Sequence, residues 1–190
     1  MTTNPRLHTF VGGKTGPWQT ISQRTLAGDA LAAPLRLAIE AGEVAVAAAE
    51  ATWVLRGVTS NERYVTRLEK AQLVAKQPEL GRAEADCAVL IPIKKHPAWW
   101  AMTQDERRHV FEESSRHNRI GLEYLPAIAR RLHHCRDLTT AEPFDFLTWF
   151  EFAGRDTGAF DQLLQRLRAT PEWRFVAREV EFRFQRVAPG

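Results

Sequence analysis

The chain has 190 residues, enough for one large domain or two small fused ones. Hydrophobic residues make up 44% and charged residues 26%, with 11 glycines and 10 prolines, proportions that exclude a disordered, collagen-like or low-complexity protein. The net charge of +3 comes from 26 basic and 23 acidic residues spread along the chain. The basic stripe of a nucleic-acid binder is missing, since the nearest candidates are the short pairs Arg107–Arg108 and Arg130–Arg131. Six tryptophans and ten phenylalanines against two tyrosines are the one oddity of composition.

The N-terminal MTTNPRLHTFVGGKTGPW holds no apolar run of signal-peptide length, and no later stretch approaches the ~20 apolar residues that span a bilayer. Cys87 and Cys135 stand alone in apolar contexts and read as buried thiols, so the expectation is a cytoplasmic protein. LHTFV and WQTISQ flank the turn formers GGKTGP, which predicts a hairpin. Residues 44–58 end in a strand, TWVLRGV, and 66–76 read as a helix that stops before Pro78. These make a β-rich N-terminal subdomain over 1–85.

Residues 86–190 are more regular. CAVLIPI (87–93) is a buried strand. Thr103 with Glu106 forms a capping box opening a helical pattern that runs towards Leu132, with breaks at Ser114–Ser115 and Pro126. LHHCRDL is a short strand, and FDFLTWFEF a longer one with Phe144, Phe146, Phe150 and Phe152 on one face. Phe160, Leu163, Leu164 and Leu167 stand at i, i+3, i+4 and i+7 of a helix that Asp156 can cap. Val180, Phe182 and Phe184 alternate with Glu179, Glu181, Arg183 and Gln185 in a half-buried strand. The order β-α-β-β-α-β predicts an α+β, ferredoxin-like unit. The apolar second face of its central strand must be covered by the N-terminal strands, another subunit or a flat apolar ligand.

The common zinc, nucleotide and redox motifs are missing from the chain. His133 and His134 in a strand point to opposite faces and make a poor metal claw with Cys135. His117 shares a helical face with Ile120, Gly121, Tyr124 and Ile128, which suits a satisfied core histidine as well as a ligand. Lys95, in KHPAWW beside Trp99 and Trp100, reads either as a snorkelling lysine or as a site residue. Glu172, in T-P-E-W, reads as a turn carboxylate or a third candidate. Spacing alone does not link these positions.

IPIKKHPAWWAMTQDERRHVFEESSRHNRIGLEYLPAIARRLHHCRDL, then EPFDFLTWFEF and LRATPEWRFVAREVEFRF, closely resembles the chlorite dismutase family, in its short, dimeric lineage. The likeness covers residues 52–187 well and the first fifty weakly. It implies the dimeric α/β-barrel type of ferredoxin-like fold, a homodimer, and haem b used to decompose chlorite to chloride and dioxygen. It implies that His117 is the axial ligand of the haem iron, that Glu172 hydrogen-bonds it, and that Lys95 accompanies that carboxylate. It also implies that Arg130 is the distal arginine that acts on the anionic substrate, that Trp99 and Trp100 lie near the haem, and that Tyr64, in NERYVTR, lies near a propionate. Nucleic acid and membrane are not expected partners. Two alternatives stay open: a coproheme decarboxylase or haem peroxidase of the same superfamily, and a non-catalytic haem-binding dimer.

Overall fold

A computed structural model describes residues 5–44, 50–59 and 66–187. Eight antiparallel strands close into a barrel: β1 (Leu7–Gly13), β2 (Trp18–Ala27), β3 (Arg36–Ala41), β4 (Ala51–Thr59), β5 (Cys87–Lys95), β6 (Ala129–His134), β7 (Phe146–Phe152) and β8 (Val176–Arg186). Around the ring they follow the order β4-β1-β3-β2-β8-β5-β7-β6. Each half of the chain thus repeats one strand order, fourth-first-third-second, although the sequence shows no repeat. The boundary between residues 85 and 86 falls just before β5.

The barrel interior is the first core. Ala88, Leu90, Leu147, Trp149, Phe182 and Phe184 from the later strands meet Phe10, Trp18, Leu37, Trp53 and Leu55 from the earlier ones. Period-2 alternation places these side chains inward. Trp53 lies flat on β1 because position 12 is glycine; a Cβ there would come within 2.5 Å of the indole. The apolar inner face of β5 is therefore covered by the N-terminal strands, one of the three expected covers.

The second core lies on the outer face of β5 and β7. It is built from Val89, Ile91, Ile93, Phe150 and Phe152 under helix α5 (Thr157–Arg168), whose Phe160, Leu163, Leu164 and Leu167 are all buried as the spacing predicts. Helices α1 (Arg67–Lys76), α2 (Pro97–Ala101), α3 (Gln104–Arg108) and α4 (His117–Leu122) complete this layer. The capping box is present: Thr103 Oγ1 accepts from Glu106 N, and Glu106 Oε2 accepts from Thr103 N.

Several expectations are corrected. LHTFV and WQTISQ do not pair, because β3 lies between them, with Phe10 opposite Ile39 and Trp18 opposite Leu37. The intervening turn carries the chain across the end of β3. There Gly16, at φ 131°, packs against the Leu37 carbonyl with no room for a Cβ. The helical pattern ends at Leu122, and β6 starts at Ala129, three residues before the expected strand. Phe144 joins the barrel interior, because it precedes β7 and escapes the strand's alternation. Asp156 makes no side-chain cap. Cys135 is buried and Cys87 partly so, both as free thiols. Glu179 and Glu181, expected on a polar face, are 2% and 1% exposed because arginines cover them. No helix among the described residues is long and apolar enough to cross a membrane.

Candidate active site

A cavity of about 580 Å³ opens over the outer face of β5, β7 and β6. Its floor follows from alternation: Ile91, Ile93 and Lys95 on β5, Phe146, Thr148 and Phe150 on β7, Arg130, Leu132 and His134 on β6. Leu163, Leu164 and Leu167 of α5 and His117, Asn118 and Gly121 of α4 close the other side. The walls are mainly apolar, with cationic and imidazole groups entering at few points.

His117 opens α4. A π-helical turn (His109–Ser114) precedes it, and Arg116 adopts the left-handed region at φ 53°, ψ 37°. A non-glycine residue there costs about 1–2 kcal/mol. The bend turns α4 away from the π turn and sets His117 at its first position. Glu112 Oε2 accepts from Asn118 N at 2.8 Å and supports the new start. The imidazole stacks on Phe111, with ring centroids 4.4 Å apart.

His117 Nδ1 lies 2.7 Å from Glu172 Oε2. The second oxygen, Oε1, accepts from Lys95 Nζ, also at 2.7 Å. Both flanking side chains are nearly sealed, Lys95 at 4% and Glu172 at 5% exposed. Burial alone would push the Glu172 carboxyl up, but His117 and Lys95 hold it down to about 2. Glu172 is thus a carboxylate, so the hydrogen bond at Nδ1 makes that nitrogen the donor and leaves the Nε2 lone pair as the ligating atom. Pro171–Phe175 forms a 3₁₀ turn that presents Glu172, and Ser115 Oγ accepts from its backbone N at 3.0 Å. The turn carboxylate, the strand-end lysine and the apolar-stripe histidine are therefore one relay, although they come from three separate segments.

Trp99 is 2% exposed, and its ring lies 4.6 Å from Lys95 Nζ. Trp100 is set apart from the relay: it stacks on Phe146, donates Nε1 to Asp145 Oδ2 at 3.2 Å, and carries Arg136 over its ring at 4.1 Å. Asp145 Oδ2 also accepts from Lys95 N at 2.7 Å, which fastens the end of β5. Arg130 lies on β6, half-buried and lining the same cavity as His117. A Cβ at Gly121 would sit 3.9 Å from Arg130 Cζ, so the guanidinium lies against the helix that carries His117. Arg130 reaches the cavity because the chain leaves α4 at Leu122 and returns as β6. Tyr64 lies outside the described residues.

The family model for chlorite dismutase matches residues 35–187. The chain belongs to the chlorite dismutase family. Its structure superimposes on a dimeric chlorite dismutase from Nitrobacter winogradskyi with a TM-score of 0.86 and 50% identity, covering 95% of this chain and 99% of that one. A curated chlorite dismutase from Ideonella dechloratans is 28% identical over 138 residues, 68% of this chain but only 43% of that protein. A mutant chlorite dismutase from Candidatus Nitrospira defluvii gives a TM-score of 0.57 at 26% identity, covering 72% of this chain and 55% of that one. The chain thus spans about half the length of the latter two relatives.

The residues present fit the haem group that this family implies. The cavity is within the ~300–1,000 Å³ of ordinary ligand sites. Its donor set is a single imidazole with a carboxylate fixing the other nitrogen, which suits haem iron. Among the described residues no group of three or more His, Cys, Asp or Glu side chains is placed to hold a bare metal ion. Ser115, Asp145, Phe111 and Trp173 were not singled out by sequence reasoning. Ser115 sat in an apparent helix break, and Trp173 directly follows Glu172; neither carries a motif of its own.

Proposed function

We propose that this chain is a haem b enzyme that converts chlorite to chloride and dioxygen and works as a homodimer. The relay of His117, Glu172 and Lys95 at the wall of a cavity shared with Arg130 carries the reading. The dimeric Nitrobacter relative supports the homodimer. The order β8-β5-β7-β6 supports the ferredoxin-like reading of residues 86–190, and its repetition in the first half supports a two-subdomain division near residue 85.

Bound haem iron would supply the Lewis-acidic and redox centre at which the Cl–O bond breaks. His117 would hold that iron, with Glu172 keeping Nδ1 protonated and raising the basicity of the ring. Lys95 keeps Glu172 ionised. Arg130, permanently charged and with a fixed fork of donors, binds the chlorite anion and retains the chlorine oxyanion until the O–O bond forms. Ile91, Phe146 and Phe150 exclude water, which strengthens that charge contact. The balance is ClO₂⁻ → Cl⁻ + O₂, with no external reductant.

The test is a haem titration of the full chain. A Soret band at one haem per chain is expected, and His117→Ala is expected to abolish it or weaken binding at least tenfold. Unchanged binding in His117→Ala would refute the ligand assignment.

A further inference from the structure

The relay has a supporting residue outside the cavity. Trp173 follows Glu172 in the 3₁₀ turn, and its ring lies 5.8 Å from Lys95 Nζ while Trp99 lies at 4.6 Å. The ammonium is bracketed by two indoles within cation–π range. An indole in this position needs its one polar atom satisfied. Trp173 Nε1 donates to Glu179 Oε2 at 2.8 Å. Glu179 is only 2% exposed, and its other oxygen accepts from both Nε and Nη2 of Arg168. Arg168 in turn reaches Glu181, which also binds Arg24 and Arg183. A clamped network on β8 and α5 therefore ends on the indole beside Lys95.

We propose that Glu179 is a positioning residue for the His117–Glu172–Lys95 relay, acting through the Trp173 indole. A buried carboxylate with two fixed donors can hold the indole in one rotamer. That rotamer confines the Lys95 ammonium to Glu172. If the indole swings away, Lys95 leaves the carboxylate, and Glu172 presents a fuller negative charge to His117. A purely structural ion pair with Arg168 would have no such effect on Lys95.

Two substitutions separate these roles, since both remove the same charge. Glu179→Gln keeps an oxygen that accepts from Trp173 Nε1, whereas Glu179→Met does not. The first readout needs no haem: the Lys95 Hε protons of the full chain, held against two rings, should resonate upfield of exposed lysines. The shift is expected to persist in Glu179→Gln and to collapse in Glu179→Met. The second readout rests on the haem reading and is the reduction potential of the loaded protein. It is expected to lie lower in Glu179→Met than in Glu179→Gln, and the two are expected to agree when Lys95 is also changed to Gln. Equal Lys95 shifts in the Gln and Met variants would overturn the proposal. Failure to bind haem would refute the haem reading and leave the NMR comparison to decide this one. If Glu179→Met does not fold, Trp173→Phe, which removes the donor without changing charge, is expected to lower the potential. A wild-type potential in that variant would overturn the role of Trp173.

Discussion

At the scale of single residues the relay sorts the charges by what each one touches. Glu172 is sealed between His117 and Lys95, and a buried carboxylate without both partners would cost several kcal/mol. Arg130 contributes differently, because it offers its charge to a small anion and not to a protein carboxylate. Removing it should leave haem binding intact and spoil retention of the expelled oxyanion. Arg130→Ala is therefore expected to release more hypochlorite per chlorite consumed, scavenged by a chlorination dye, and to inactivate several-fold sooner than wild type. An unchanged dioxygen yield and lifetime would remove Arg130 from this role.

At the scale of elements, β6 shows how one strand serves two environments. Arg130, Leu132 and His134 line the cavity, while His133 points into the barrel and is 1% exposed. Burial pushes the His133 imidazole down from 6.5 to about 3, with His8 and Arg131 adding to the effect. The folded chain thus keeps this ring neutral, while the unfolded chain protonates it below about pH 6.5. Stability associated with His133 is present above that pH and is lost progressively as pH falls towards 3. Between pH 7 and pH 5 the loss is about 2 kcal/mol at most. His133→Gln is expected to flatten the decline in urea midpoint between these pH values; an identical decline would show that His133 is protonated in the folded state.

The same strand marks where sequence reading failed. Helix α5 was legible because four apolar residues at helical spacing need a core, and the capping box before α3 was legible because it satisfies its own backbone donors. ARRLHH carries no clean period, since its outward residues face a cavity and not water, so its start was misplaced. Glu179 and Glu181 looked solvated for a related reason: their arginine partners come from β2, α5 and β8 itself. The hairpin failed because β3, some twenty residues on, competes for both strands. The site residues were each visible as oddities, and family resemblance joined them. Local spacing could not, because His117 and Glu172 are separated by 55 positions.

At the scale of the whole molecule, the aromatic excess divides between two tasks. Trp18, Trp53 and Trp149 fill the barrel, while Trp99 and Trp173 bracket Lys95 beside the cavity. The barrel interior is therefore complete without a ligand, whereas the outer layer encloses about 580 Å³ of ligand space. A group bound there adds RT ln(1 + [L]/Kd) to stability, about 4 kcal/mol at a thousandfold excess over Kd. The haem-loaded protein is expected to melt several degrees above the haem-free chain by calorimetry, with the difference lost in His117→Ala. Equal melting temperatures would mean that the cavity does not take up the group.

The reaction itself is tested by adding chlorite to the haem-loaded chain while following dioxygen with an electrode and chloride by ion chromatography. One dioxygen and one chloride per chlorite consumed is the expected result. Chlorite that persists, or that disappears without stoichiometric dioxygen, would contradict the assignment of this site to O–O bond formation.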